Sequence, residues 1–245
     1  TGVHVHPLRR GKRDNFSAPA QVLELLEEYI KIRESDILPN RMRKVIPTKY
    51  TDAFVQQYMK DPDSVDKDKK EQFEMLLKQV GIDLEYQFFV KEYQGQDDLF
   101  GVVIDRDYNT HTVMQLNEIR KQCIEKGYHF FITTPCFEFW LLLHLVDVKK
   151  QYKGDMQKFR DNEKRTNKHT FTSLQVSEYA GHSKKISEKI FRQYYLNHID
   201  YAISQVKKFF STDVEKLIGT DETEDSKKGK LGSNLPELFK LLREL

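Results

Sequence analysis

The strongest constraint in this chain is a pair of short apolar runs set one helix apart. Leu99-Phe100-Gly101-Val102-Val103-Ile104 is almost continuously apolar and stops at Asp105. A run of that kind suits a strand buried on both faces, as in a parallel sheet. Between Val113 and Lys126, Val113, Leu116, Ile119 and Cys123 recur at helical spacing, Ile124 lies at the edge of the stripe, and Gly127 ends it. His129-Phe130-Phe131-Ile132-Thr133 then reads as a second buried strand. Strand, helix and strand at this spacing form a βαβ unit, which sets the class as α/β.

The remaining elements arrange themselves around that unit. Pro19 opens a helix with Val22, Leu25, Leu26 and Ile30 on its apolar side, and Pro39-Asn40 breaks it. Val45-Ile46 reads as a short strand stopped by Pro47. A helix is expected from Thr51 or Asp52 through Phe54, Val55 and Tyr58. A charge-alternating stretch, Asp61 to Lys70, leads into another helix marked by Phe73, Met75, Leu76 and Val80 and ended by Gly81. Leu84 to Lys91 is rich in strand formers, and Gly95 to Asp98 reads as a turn. After Pro135, Phe137 to Leu145 reads as an almost wholly apolar helix. Residues 149–170 are polar, Ile186 to Phe210 carries a long amphipathic pattern, 219–234 reads as flexible, and Leu235 to Leu245 closes the chain as a helix. The organisation expected is a basic arm and helix over 1–40, an α/β core over 41–146 and a helical C-terminal region over 147–245.

Composition narrows the functions. With 40 Lys and Arg against 38 Asp and Glu, the net charge is only +2. That excludes a strongly basic nucleic-acid coat, so any nucleic-acid site must be a local patch or be shared with a partner. The two cysteines, Cys123 and Cys136, form no CxxC pair, which excludes a disulfide framework and a zinc knuckle and fits a reducing cytoplasm. The longest apolar run, Phe137 to Val146, is interrupted by Glu138 and His144 and is too short to cross a membrane. No secretory leader opens the chain; Thr1 stands first, so a trimmed or tagged terminus is expected. There is no P-loop, GxGxxG, GxSxG or HExxH.

Three segments carry chemistry. The first is Gly101-Val102-Val103-Ile104-Asp105-Arg106-Asp107. Ligands in parallel α/β sheets bind at the carboxyl ends of strands, where Asp105 falls. Asp107, two residues on, points the same way if the chain stays extended. Two carboxylates on one face suit Mg²⁺ or Mn²⁺, which could hold phosphate oxygens and activate water. The alternative has Asp105 capping a helix start and Asp107 in a turn.

The second segment is Thr134 to His144. Glu138 falls in the first helical turn, where the dipole favours a negative charge, and a carboxylate among Phe137, Phe139 and Trp140 needs a partner. It reads equally as a dipole partner and as an active-site group. His144 reads as a catalytic group or as a satisfied core histidine. The third is Tyr179-Ala180-Gly181-His182-Ser183-Lys184-Lys185. Here Lys184 and Lys185 could neutralise phosphate and His182 could move a proton, or all could be ordinary surface residues. The arm with Arg9, Arg10, Lys12 and Arg13 could likewise contact phosphate or be a solvated tail, and His111 is a further polar group near the aspartates.

Ile104-Asp105-Arg106-Asp107, followed by Pro135-Cys136-Phe137-Glu138-Phe139-Trp140-Leu141-Leu142-Leu143-His144, resembles the RloB-like family. Gly181 to Lys185 and Leu235 to Leu242 are similar to its later blocks, and the resemblance covers roughly residues 41–245. It implies a Toprim-like fold: a mainly parallel central sheet flanked by helices, with a C-terminal helical extension. It also implies bacterial antiviral, abortive-infection defence, often beside an ABC-type or AAA-type ATPase, and a metal-dependent nuclease acting on DNA or RNA. Such nucleases add a glutamate at the end of the first strand. Pro47 stands there in this chain, leaving Asp52, Glu92 or Glu138 as substitutes. That departure motivates the alternative of a catalytically degenerate adaptor working through the ATPase. A binding module using the basic arm is a third reading. Association into a homo-oligomer is also among the expectations.

Overall fold

The structure is a computed structural model describing residues 18–34, 46–80, 98–181 and 186–244. The chain divides into two compact units, one spanning His4–Phe100 and one containing Gly101–Leu245. The strand expected over Leu84 to Lys91 and the position of Val45 lie outside the described residues.

In the first unit, helix α1 (Pro19–Glu34) buries Leu23, Leu26 and Ile30. The buried stripe is therefore rotated slightly from the one expected, with Val22 and Leu25 only half-buried. Thr51 starts α2 (Asp52–Lys60) by accepting a hydrogen bond from Phe54 N at 3.2 Å. Helix α3 (Lys67–Val80) contributes Phe73, which meets Phe54 and Tyr58 edge-on at centroid distances of 5.3 and 5.1 Å. Ile46 is buried in this same cluster, but in a bend, with Tyr50 N bonded to Pro47 O at 3.0 Å. At Ile46 and Pro47 the chain thus turns instead of running on as a strand, because Pro47 removes a ladder donor and its carbonyl closes the turn.

The second unit contains the βαβ motif. Strand β1 (Gly101–Asp105) lies parallel to β2 (His129–Thr134), with Asp105 opposite Thr133. Helix α4 (Val113–Glu125) connects them and is opened by a reciprocal Thr112–Gln115 capping box. A two-residue strand, β3 (Gly232–Ser233), pairs antiparallel with the other side of β2. The described sheet is thus small, three-stranded and mixed, where a mainly parallel one was expected. Strand β1 also departs from expectation: its burial alternates, and Val103 is 47% exposed. The central strand β2 is the one buried on both faces.

Asn234 extends β3 with its side chain. Its Oδ1 accepts from Ile132 N at 2.6 Å and its Nδ2 donates to Phe130 O at 2.8 Å. An amide side chain thereby satisfies the β2 edge as another strand would. The 219–234 segment is therefore ordered, contrary to the flexibility its Gly, Ser and Lys content suggested. Gly229 shows why glycine is needed there: φ is +70°, and a Cβ would stand 2.0 Å from Leu217 O.

Helix α5 (Phe137–Leu145) is the centre of the core, burying Phe139 through His144. Short helices α6 (Val148–Gln151) and α7 (Met156–Asp161) follow, then α8 (Phe171–Ala180). The long pattern expected over Ile186 to Phe210 breaks into α9 (Glu188–Tyr194) and α10 (Ile199–Phe209), separated by a 3-10 turn. Helices α11 (Val214–Ile218) and α12 (Leu235–Glu244) complete the unit. Helices α8 and α10 pack on α5, so the region beyond residue 147 shares the core of the sheet. Buried Gln205 of α10 fixes the exit from α5: it accepts from Val148 N at 3.0 Å and donates to Leu143 O and Val146 O at 2.6 and 2.8 Å.

Candidate active-site edge

The carboxyl end of β1 runs on past its last strand residue. Arg106 N donates to Thr133 O and Asp107 N to Pro135 O, both at 2.9 Å. The chain therefore stays extended and alternates: Asp105 is exposed, Arg106 is 1% exposed, and Asp107 is half-buried. Alternation places both aspartates on the face opposite Arg106.

Asp105 has a defined second role. Its Oδ1 accepts from Phe137 N at 2.7 Å, the first residue of α5. The N-cap residue there, Cys136, makes no side-chain cap bond. Asp105, 32 positions earlier, supplies the acceptor and places its charge at the positive end of α5. The capping alternative is thus realised on α5, while α4 has its own capping box. Asp107 opens a turn through its carbonyl, which accepts from Thr110 N and His111 N at 2.9 and 3.0 Å. Among the described residues its carboxylate makes no hydrogen bond, and its charge acts on the Arg106 guanidinium, favouring the charged form.

Glu138, half-buried in the first turn of α5, joins this edge through Cys136. Burial pushes the Cys136 thiol well up from its ordinary value, and the charges of Glu138 and Asp105 push it further. Asn162 Nδ2 contacts its sulfur at 3.5 Å. A protonated, buried thiol is neither a nucleophile nor a metal ligand. Its value here is as a marker that Asp105 and Glu138 flank one point.

The donor chemistry permits a hydrated hard cation. Asp107 presents a carboxylate that makes no hydrogen bond among the described residues, beside the Asp105 carboxylate on the same face; Mg²⁺ is commonly held by one or two carboxylates, with water and phosphate filling the remaining positions. An all-protein cage is a different matter: among the described residues, no three His, Cys, Asp or Glu side chains gather as a metal site.

His144 stands apart at the far end of α5. It is buried, with Nδ1 2.8 Å from Trp140 O, and its ring lies edge-on to Trp140 and Tyr195. Burial draws its pKa down to about 4, so it is a neutral core histidine at physiological pH. His111 takes part through its backbone, accepting from Arg106 Nη1 at 2.7 Å. Pro47 and Asp52 belong to the first unit. Arg9, Arg10, Lys12, Arg13, Glu92, His182, Lys184 and Lys185 lie outside the described residues.

Arg106 was not singled out from the sequence, yet it organises the edge. Besides His111 O, its Nε donates to Ile218 O at 2.6 Å and its Nη2 donates to Lys227 O. Burial lowers its pKa to about 10, with Asp107 and Asp221 acting in the opposite direction, so it remains a cation at neutral pH. The loop it holds is clamped from α7 as well. Arg160 binds Asp225 at 2.9 Å and Gly229 O at 3.2 Å, and Lys228 pairs with Asp161. An arginine between two strand-end aspartates was itself a signal, since alternation sends it inward, where it must find carbonyls.

The family model described as "RloB-like protein" matches residues 17–242 of the 245. No curated protein and no solved structure matches the chain. Among the described residues no helix is long and apolar enough to cross a membrane.

Proposed function

This chain belongs to the RloB-like family, and we propose that it is a bacterial antiviral defence effector: a Toprim-like nuclease that uses Mg²⁺ or Mn²⁺ to cut phosphodiester bonds in DNA or RNA. The observation that carries this reading is the continued extension of the chain through Arg106, which presents Asp105 and Asp107 together at a strand end. Asp105 and Asp107 would hold the ion, with Glu138 adding negative charge from α5. A bound divalent ion supplies charge neutralisation at phosphate and a more acidic water. The protein's own contribution is rigidity. Phe137 N fixes one Asp105 oxygen, and Arg106 fixes the backbone between the two carboxylates. Arg106 also limits the build-up of negative charge before a phosphate arrives.

The test uses the purified full chain with plasmid, single-stranded DNA and tRNA, each with Mg²⁺, with Mn²⁺ and with EDTA. Metal-dependent cleavage that falls on the order of a hundredfold in Asp107→Asn supports the reading. Persistent inactivity of the chain, alone and with an ATPase partner, sinks it. In a phage-challenged host, Asp107→Asn should lose protection.

A second reading is favoured by Asp105's bond to α5 and by proline at position 47. In it the chain is a non-catalytic adaptor of an ABC-type or AAA-type ATPase, and the strand-end carboxylates are structural. Protection that survives Asp107→Asn would select this reading.

A further inference from the structure

A cleft of about 560 Å³ opens in the second unit, lined in part by Asp225, Lys230 and Leu231 of the 219–231 loop. Its rim carries Lys149, Arg160, Lys216 and Lys230 against a single carboxylate, Asp225. That rim alone holds more net positive charge than the +2 of the entire chain. Lys149 and Lys230 are exposed, and among the described residues their side chains have no salt bridge or hydrogen bond. Lys216 is shared with Asp213 at 3.3 Å but keeps more than half its side chain in solvent. Met156, Phe209, Phe210 and Leu231 give the lining its apolar and aromatic part. Phe209 is 38% exposed, with Lys208 Nζ 5.0 Å from its ring centroid, and Phe210 descends into the core against Phe139.

We propose that this cleft is a binding site for single-stranded nucleic acid, with phosphates on Lys149, Lys216 and Lys230 and a base on Phe209. Cations around an exposed aromatic ring are the combination that a single strand uses, because its bases are free to stack while its backbone follows the charge. A duplex offers phosphates but keeps its bases inside, and would leave Phe209 without a role. The placement deepens the nuclease reading, on which it rests for its biological sense. Lys230 and Leu231 reach the cleft from the same loop whose Lys227 carbonyl is held by Arg106, so one ordered loop joins the cleft to the Asp105–Asp107 edge. Arg160 has a structural duty toward Asp225 and Gly229 and is left out of the phosphate set.

The experiment is fluorescence anisotropy of labelled oligouridine and oligothymidine on the full chain, in EDTA, across a salt series. EDTA removes divalent ions, so binding is read independently of cleavage, and the nuclease reading can fail without this one. The triple variant Lys149→Gln, Lys216→Gln, Lys230→Gln should bind at least about tenfold more weakly, with a salt slope shallower by about 2. Lys230→Gln alone, a change at an exposed side chain, should flatten the slope by roughly 0.7. Phe209→Ala should weaken binding about fivefold or more. No binding by the wild type overturns the proposal. So do an unchanged affinity and slope in the lysine variants, and a duplex that binds as tightly as the single strand. Preference between the two oligomers identifies RNA or DNA as the source of the strand.

Discussion

Replacing Arg106 by methionine tests the architecture of the candidate edge. The substitution keeps length and apolar volume but removes the charge and three donations, to Ile218 O, His111 O and Lys227 O. Hydrogen bonds to charged groups typically contribute about 1.5–3 kcal/mol each to stability. Two corrections reduce the sum. The His111 and Lys227 bonds are only part-buried, so water recovers some of their value. Burial also disfavours the guanidinium, as its lowered pKa shows, and that cost vanishes with the charge. The Ile218 carbonyl, fully buried, has no such recourse. A net loss of about 2–4 kcal/mol follows, or a Tm lower by roughly 5–15 °C at this chain length. The loss should be local first, because Arg160 still holds Asp225. Hydrogen exchange should rise over 219–231 and at Asp107 while α5 stays protected. A Tm within about 2 °C of wild type, with unchanged exchange in that loop, would refute the assignment of Arg106 as its anchor.

Three further outcomes are expected. Asp105→Ala should lower stability by about 1–2 kcal/mol through loss of the α5 acceptor, whereas Asp105→Asn, which can still accept from Phe137 N, should stay within about 1 kcal/mol of wild type in denaturant melts. His144 binds no proton in the native state until the pH falls to about 4, while the unfolded chain takes one near 6.5. The unfolded state therefore holds the extra proton between those values, so stability is lost as pH falls from 6.5 toward 4; His144→Gln should remove roughly 3 kcal/mol of that dependence in paired urea titrations. Gly229→Ala must move the Leu217 backbone or abandon its φ of +70°, and thermal melting should register a loss of about 2 kcal/mol or more.

The βαβ unit and its helix were legible because burial there is written in periodicity: the apolar stripe from Val113 to Cys123 and the 129–133 run fall on the observed buried positions of the helix and on β2, which runs one residue further to Thr134. The acidic pair was legible too, since i and i+2 share a face in any extended chain. What escaped was long-range. Nothing near Asp105 in the sequence says that its acceptor serves a helix starting 32 residues later, or that Arg106 reaches carbonyls 112 and 121 positions away. The 219–234 segment looked flexible because Gly, Ser and Lys are common in loops. In fact glycine is there because two backbones touch, and Asn234 replaces strand bonds with its own amide. His144 was ambiguous in the sequence, since six residues from Glu138 on a helix fixes no shared face; burial against Trp140 and Tyr195 resolves it.

Crystals of the full chain grown with Mn²⁺ and measured at the manganese edge put the central claim to its most direct test. The account predicts an anomalous peak in contact with the carboxylates of both Asp105 and Asp107, absent from crystals of Asp107→Asn grown in the same way. A saturated crystal without a peak at that edge, or one whose manganese sits on other residues while the two aspartates point apart, would contradict it.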